Sequence, residues 1–340
     1  MPKPSSKASK RSKRLEPPFN YFGGKRLIAP IVWELIGNPQ TYIEPFAGGL
    51  AVLLARPMPL AANVHEIVND IDGTIVNIWR SIRQDPETLA VWLDRPSAEA
   101  DLIAAHNYLV ENKERIEQLV KSHPDACDPL AAAYHLYYLR YKAGDTRLQG
   151  TLHAAKPQPL VNRRNYQLVL VRDYDLRRAI FDKRGAAQLY AIARRLRYVR
   201  ILCGDWSRCF TGYYWRGRES SGSQLTVGVY MDPPYATTDR ADLYMHESRE
   251  VAYEAMEWCL QHAHEPWMRI VFSSYDEFLK PPWCERLAAD GWRIINWKTG
   301  GGYSSLSKHK VNLNPMREVL YISPNCRPHP QAVLLADLLG

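Results

Sequence analysis

The chain has 340 residues, of which 46% are hydrophobic and 24% charged. These proportions are globular and exclude a fibrous or wholly disordered chain. No run of 18 apolar residues could span a bilayer. Lysine and arginine outnumber aspartate and glutamate by 44 to 36, a net charge of +8 that suggests a polyanionic partner.

Residues 1–18 hold Lys3, Lys7, Lys10, Arg11, Lys13 and Arg14 among serines and prolines, and read as a disordered basic tail. From Phe19 the pattern becomes α/β. A helix is predicted over 27–36 and a short strand over 41–46, ending in a Gly-containing turn. A helix follows over 50–55, then a strand over 64–68 that ends at Asn69-Asp70, then a helix over 72–83. Residues 84–195 read as a mostly helical insertion, with helices near 102–120, 131–141 and 186–196. Its middle part is basic and aromatic. Strand patterns return at 199–203, 225–231, 269–273, 293–297 and 318–322, and residues 212–224 interrupt them as a polar loop. The six cysteines are scattered without a C-x-x-C pair, as expected for reduced thiols in a cytoplasmic protein with no zinc site. The histidines form no metal-spaced cluster. His106 and His135 sit in helical patterns and are expected to pack.

Three motifs carry chemistry. Glu44-Pro-Phe-Ala-Gly-Gly49 lies between a strand and a helix, where small residues let a ligand approach the backbone. Asp70 ends the next strand, where a carboxylate can accept ribose hydroxyls. Asp72 is left to cap the following helix. Asp232-Pro-Pro-Tyr235 follows an apolar strand. Its prolines stop the strand and leave the Pro233 carbonyl outside any ladder. The Asp232 carboxylate and that carbonyl can both accept from one amino group, and Tyr235 offers a stacking face. A conjugated exocyclic amine is a poor nucleophile. Two acceptors turn its lone pair toward an electrophile and stabilise the positive charge that develops during transfer.

These motifs, with Phe19-Asn-Tyr-Phe-Gly-Gly-Lys25 and Gly204-Asp205-Trp206, stand in the order seen in Dam-like DNA adenine-N6 methyltransferases of the alpha type. The chain resembles that family over 19–83 and 196–322. The resemblance implies a Rossmann-like fold: a mixed sheet flanked by helices, with a target-recognition insertion. It implies transfer of a methyl group from S-adenosylmethionine to adenine N6 in double-stranded DNA, with base flipping and no metal. It divides the chain into a tail (1–18), a cofactor-binding part (19–83), a DNA-binding insertion (84–195) and a catalytic part (196–340). Tyr21, Phe22, Gly23, Gly24 and Lys25 would border the cofactor, with Lys25 also a candidate for DNA contact. Glu44, Pro45, Phe46, Ala47 and Gly48 would line its methionine end. Asp70 would hold the ribose. Asp205 would accept the cofactor's adenine amine, with Trp206 beside the ring. Asp232, Pro233, Pro234 and Tyr235 would hold the target adenine.

Arg140, Lys142, Arg163, Arg164 and Tyr166 are the expected DNA contacts in the insertion. The same catalytic motif would also serve cytosine N4 or an adenine in RNA. A nucleic-acid-binding protein that keeps the fold without activity is a further alternative. A bacterial, phage or mobile-element enzyme of this kind can work with a restriction endonuclease partner or alone.

Overall fold

The structure is a computed structural model and describes residues 15–19, 25–58, 60, 64–93, 95, 98–141, 183–212, 214–217, 225–234, 250–297 and 318–339. The first half of the chain forms α1 (Ala29–Ile36), β1 (Thr41–Glu44), α2 (Ala51–Leu54), β2 (His65–Asp70), α3 (Gly73–Gln84), α4 (Pro86–Leu93), α5 (Glu99–Ser122) and α6 (Pro129–Tyr141). The second half forms α7 (Lys183–Leu196), β3 (Val199–Cys203), β4 (Val227–Met231), α8 (Glu250–His262), β5 (Met268–Ser274), α9 (Trp283–Ala289), β6 (Arg293–Asn296), β7 (Val319–Ile322), β8 (Val333–Leu334) and α10 (Ala336–Leu339). Among the described residues no helix is long and apolar enough to cross a membrane.

The strands form one sheet in the order β3-β2-β1-β4-β5-β7-β6-β8. The first five run parallel, and β7 enters antiparallel between β5 and β6. Alternating residues serve two cores. Tyr42, Val68, Ile201, Tyr230 and Val271 join the core that contains α1 and α3. Ile43, Ile67, Val229, Ile270 and Phe272 join the core that contains α8 and α9. Every residue of β1 and β4 is buried, as a strand covered on both faces requires. Gly228 on β4 meets the end of α1 closely. A Cβ there would lie 2.3 Å from Ile36 Cγ2 and 2.9 Å from Pro39 Cγ.

The chain leaves β1 for β2 and β3 on one side, then crosses back to place β4 on the other. Strand order therefore reverses between β1 and β4. A crevice opens at such a point beyond the carboxyl ends of the strands.

Aspartates start α3, α4 and α6. Asp72 caps α3 by accepting from Thr74 N–H at 2.8 Å. Asp85 does the same for Thr88 at the start of α4 (3.1 Å), and Asp128 for Ala131 at the start of α6 (2.9 Å). In α4 and α6 a proline fills the first helical position, where its missing N–H costs nothing.

Helices α5, α6 and α7 pack on α3, and α4 packs on α6 and α7. Leu89, Leu102, Leu136 and Leu189 enter the same core as Trp79 of α3. The described parts of 84–195 are thus continuous with the sheet domain's own core. The basic stretch 142–182 lies outside the described residues. His106 stacks on Tyr138 with ring centroids 5.1 Å apart, and His135 is buried, in keeping with packing roles.

Two stretches differ from the sequence reading. Residues 15–18, assigned to the tail, are held in place: Gln188 Nε2 donates to Glu16 O at 2.9 Å and Arg26 to Pro17 O at 3.2 Å. The apolar surface of Leu15 and Pro17 finds cover there. Residues 1–14 lie outside the described residues. Within the expected polar loop 212–224, Tyr214–Arg216 form a short turn whose Trp215 packs against Phe210, Trp258 and His262. A single tryptophan is enough to anchor a segment of otherwise polar composition.

Candidate active site

The strand ends at the crevice are tied together by β2. Asn69 Nδ2 donates to Pro45 O (3.1 Å) after β1 and to Gly204 O (2.9 Å) after β3. Ala47 N–H returns a bond to Asn69 O at 2.8 Å, and Gly204 N–H one to Asp70 O at 3.0 Å. Asp70 accepts from Gly48 N–H at 2.8 Å and from Asp72 N–H at 2.9 Å. Trp79 of α3 holds the other side of Gly48, donating from Nε1 to its carbonyl at 2.8 Å. Gly48 and Leu50 both have positive φ, 44° and 50°. For leucine this conformation is strained, and it persists because both neighbouring peptides are pinned. Burial raises the Asp70 carboxyl to about 7. The Asp72 charge adds to this, and the backbone N–H bonds oppose it.

Beyond β3, Asp205 caps a short helical turn over Trp206–Phe210, accepting from Ser207 N–H at 3.0 Å. Asp205 is exposed and Trp206 nearly buried. Trp206 lies against Phe46 with centroids 6.2 Å apart and runs on into Phe210 and Trp258. An aromatic wall thus flanks the crevice between the loops after β1 and β3.

At the β1–β4 reversal stand two carboxyl groups. Glu44 ends β1 and is buried; it accepts from Tyr42 Oη at 2.9 Å and from Leu53 N–H at 3.2 Å. Burial pushes its carboxyl up to about 8, and the charge of Asp232 adds to that, against the lowering effect of Tyr42 and Leu53. Asp232 follows β4 and pairs with Lys25 Nζ at 3.0 Å. Lys25 is 5% exposed and sits just ahead of α1, its carbonyl accepting from Ala29 N–H at 3.0 Å.

The structure therefore brings Glu44 to Gly48, Asp70, Asp205, Trp206, Asp232 to Pro234 and Lys25 to one edge of the sheet. Glu44 lies beneath that edge, turned toward Tyr42 and Leu53. Arg140 lies in the last turn of α6. Tyr21, Phe22, Gly23, Gly24, Tyr235, Lys142, Arg163, Arg164 and Tyr166 lie outside the described residues, as do 218–224 of the expected polar loop. The bracing roles of Asn69 and Trp79 were not foreseen. Asn69 stood beside Asp70 in the motif, but Trp79 looked like any apolar position of an amphipathic helix.

Residues 21–197 match the D12 class N6 adenine-specific DNA methyltransferase family. The chain belongs to that family. It is an enzyme that methylates DNA at adenine N6, with S-adenosylmethionine as donor and the target base flipped from the helix. The match covers the loops after β1 and β2 and both flanks of the undescribed basic stretch. The crevice suits this donor chemically. Asp70 and Asp205 offer oxygen acceptors for hydroxyl and amino hydrogens. Among the described residues Asn69 Oδ1 is buried with no hydrogen-bond partner, an acceptor left open at the carboxyl end of β2.

Proposed function

We propose that the methyltransferase uses the crevice at the ends of β1, β2 and β3 for S-adenosylmethionine and the end of β4 for a target adenine flipped out of double-stranded DNA. The observation that carries this reading is the arrangement of Asp70 and Asp232 on either side of β1, Asp70 as the last residue of β2 and Asp232 just past β4. S-adenosylmethionine supplies an electrophilic methyl group when bound. Asp70 accepts from the ribose hydroxyls, Asp205 accepts from the cofactor's adenine amine, and Trp206 and Phe46 close that side. Lys25 stands on the Asp232 side of the crevice. Asp232 and the Pro233 carbonyl accept the two amino protons of the target adenine, with Tyr235 beside its ring. That pairing turns the nitrogen lone pair toward the methyl group and stabilises the charge that develops on the nitrogen, before one amino proton is released. Positioning and electrostatics do the remaining work.

The basic stretch 142–182 is the proposed reader of the DNA sequence, with Arg140 at its entrance. Lys142, Arg163, Arg164 and Tyr166 are its proposed contacts. A restriction endonuclease that cuts the same unmethylated site is a compatible partner.

The test is transfer of labelled methyl to unmethylated plasmid, followed by mass analysis and mapping of the modified nucleoside. Asp232→Ala is expected to abolish transfer with cofactor affinity intact. Asp70→Ala is expected to weaken cofactor binding in calorimetry. Turnover surviving in Asp232→Ala would overturn the assignment of the target site.

A further inference from the structure

Asp232 and Glu44 come together at the strand-order reversal, yet their partners differ in kind. Asp232 receives an ammonium, Lys25 Nζ at 3.0 Å. Glu44 receives a phenol hydroxyl and a backbone N–H. The Asp232 charge disfavours ionisation of Glu44, and the partners of each carboxyl bias which one carries the charge. The ion pair is largely withdrawn from water, with Lys25 5% and Asp232 19% exposed. An ammonium buried to that degree is costly unless it is needed by its partner.

We propose that Lys25 is a positioning residue for methyl transfer, holding Asp232 as an oriented carboxylate that can accept an amino proton of the target adenine. This rests on the reading of Asp232 given above. A carboxylate has about four lone-pair sites, so a bond to Lys25 is compatible with a second bond to the substrate amine. A protonated Asp232 would instead present a hydroxyl to an amine that is itself a donor. Glu44 takes the protonated share: burial and the Asp232 charge raise its carboxyl to about 8. Lys25 thus acts on the base that reacts, through Asp232, and neither on the methyl donor nor on the DNA backbone.

The experiment is Lys25→Met in the full-length enzyme, with S-adenosylmethionine affinity by calorimetry, DNA affinity by anisotropy, and single-turnover methylation across pH 6 to 9. The expected result is a loss of about 10- to 100-fold in the transfer rate, the cost of a misplaced catalytic group. Both affinities stay within twofold. Part of the rate returns as pH rises, because Asp232 then ionises without its counter-ion. Glu44 titrates in the same range and Tyr42 bonds to it, so the profile is repeated in Lys25→Met/Glu44→Gln, where the pH rescue should persist. A variant whose loss lies in cofactor affinity or in DNA affinity would overturn the proposal in favour of a direct contact. A uniform loss with no pH rescue and a lowered melting temperature would reduce Lys25 to a structural role. If Lys25→Met is unimpaired while Asp232→Ala is dead, this inference fails alone. If Asp232→Ala is active, the underlying reading fails first.

Discussion

Arg195 of α7 grips Glu66 of β2 with two bonds, Nη1 to Oε2 at 2.5 Å and Nη2 to Oε1 at 2.6 Å. Arg56 joins from below α2, donating from Nη1 to Oε1 at 2.8 Å. All three side chains are nearly or fully buried. Burial pulls the Arg56 guanidinium down and Glu66 pulls it back up. Glu66→Gln would leave two guanidiniums facing each other without a counter-charge. Such broken buried pairs cost about 3–5 kcal/mol, to be read from urea unfolding. A cost below about 1 kcal/mol would put the cluster on a par with exposed ion pairs.

Stability should fall as pH rises through neutrality. The native carboxyls of Glu44 and Asp70 are raised to about 8 and about 7, against ordinary values of 4.5 and 3.8. Between those limits the native state binds more protons than the unfolded chain, so the unfolding free energy declines with pH. Their stabilising share is present below the ordinary values and is lost as pH climbs through the native ones. Glu44→Gln should flatten the decline, above all between pH 7 and 8, where Asp70 loses its proton ahead of Glu44. Urea midpoints across this range check it; parallel curves for variant and wild type would mean that Glu44 is ionised throughout.

Trp79→Phe keeps most of the packing and removes the donor to Gly48 O. Gly48 loses one of its two braces. Cofactor affinity should drop about fivefold, the worth of one hydrogen bond of about 1 kcal/mol. Calorimetry measures this directly, and an unchanged affinity would show that the bonds from Asn69 and Asp70 suffice to hold the loop.

Gly228→Ala drives a methyl group into Ile36 and Pro39. Both are held, one in a helix and one by the Arg56 bond to its carbonyl, so the strain should cost about 1–3 kcal/mol. A variant as stable as wild type would mean that α1 can move freely off β4.

How far the sequence carried depends on where each signal lies. β3 was read at its observed limits, Val199–Cys203, because apolar residues and a glycine stop bound it locally. Strand order was not readable, since the entry of β7 between β5 and β6 depends on pairings made only in the folded sheet. α4 was missed although Asp85-Pro86 is a start signal of the same form as Asp128-Pro129. Asp70 and Asp232 could be selected because each ends a strand pattern, whereas Asp205 rested on the family resemblance. The ion pair of Lys25 with Asp232 could not, because its halves come from opposite ends of the chain and meet only through β1 and β4.

The basic stretch 142–182 departs from α6 and comes back in α7, and both helices rest on α3. Its two stems are therefore rooted in one support that also braces the Gly48 loop. On the proposed reading, this makes the reader an exchangeable cassette. A stretch from a relative with another target sequence could be grafted between the stems, redirecting the enzyme while the methyl-transfer chemistry stays in place.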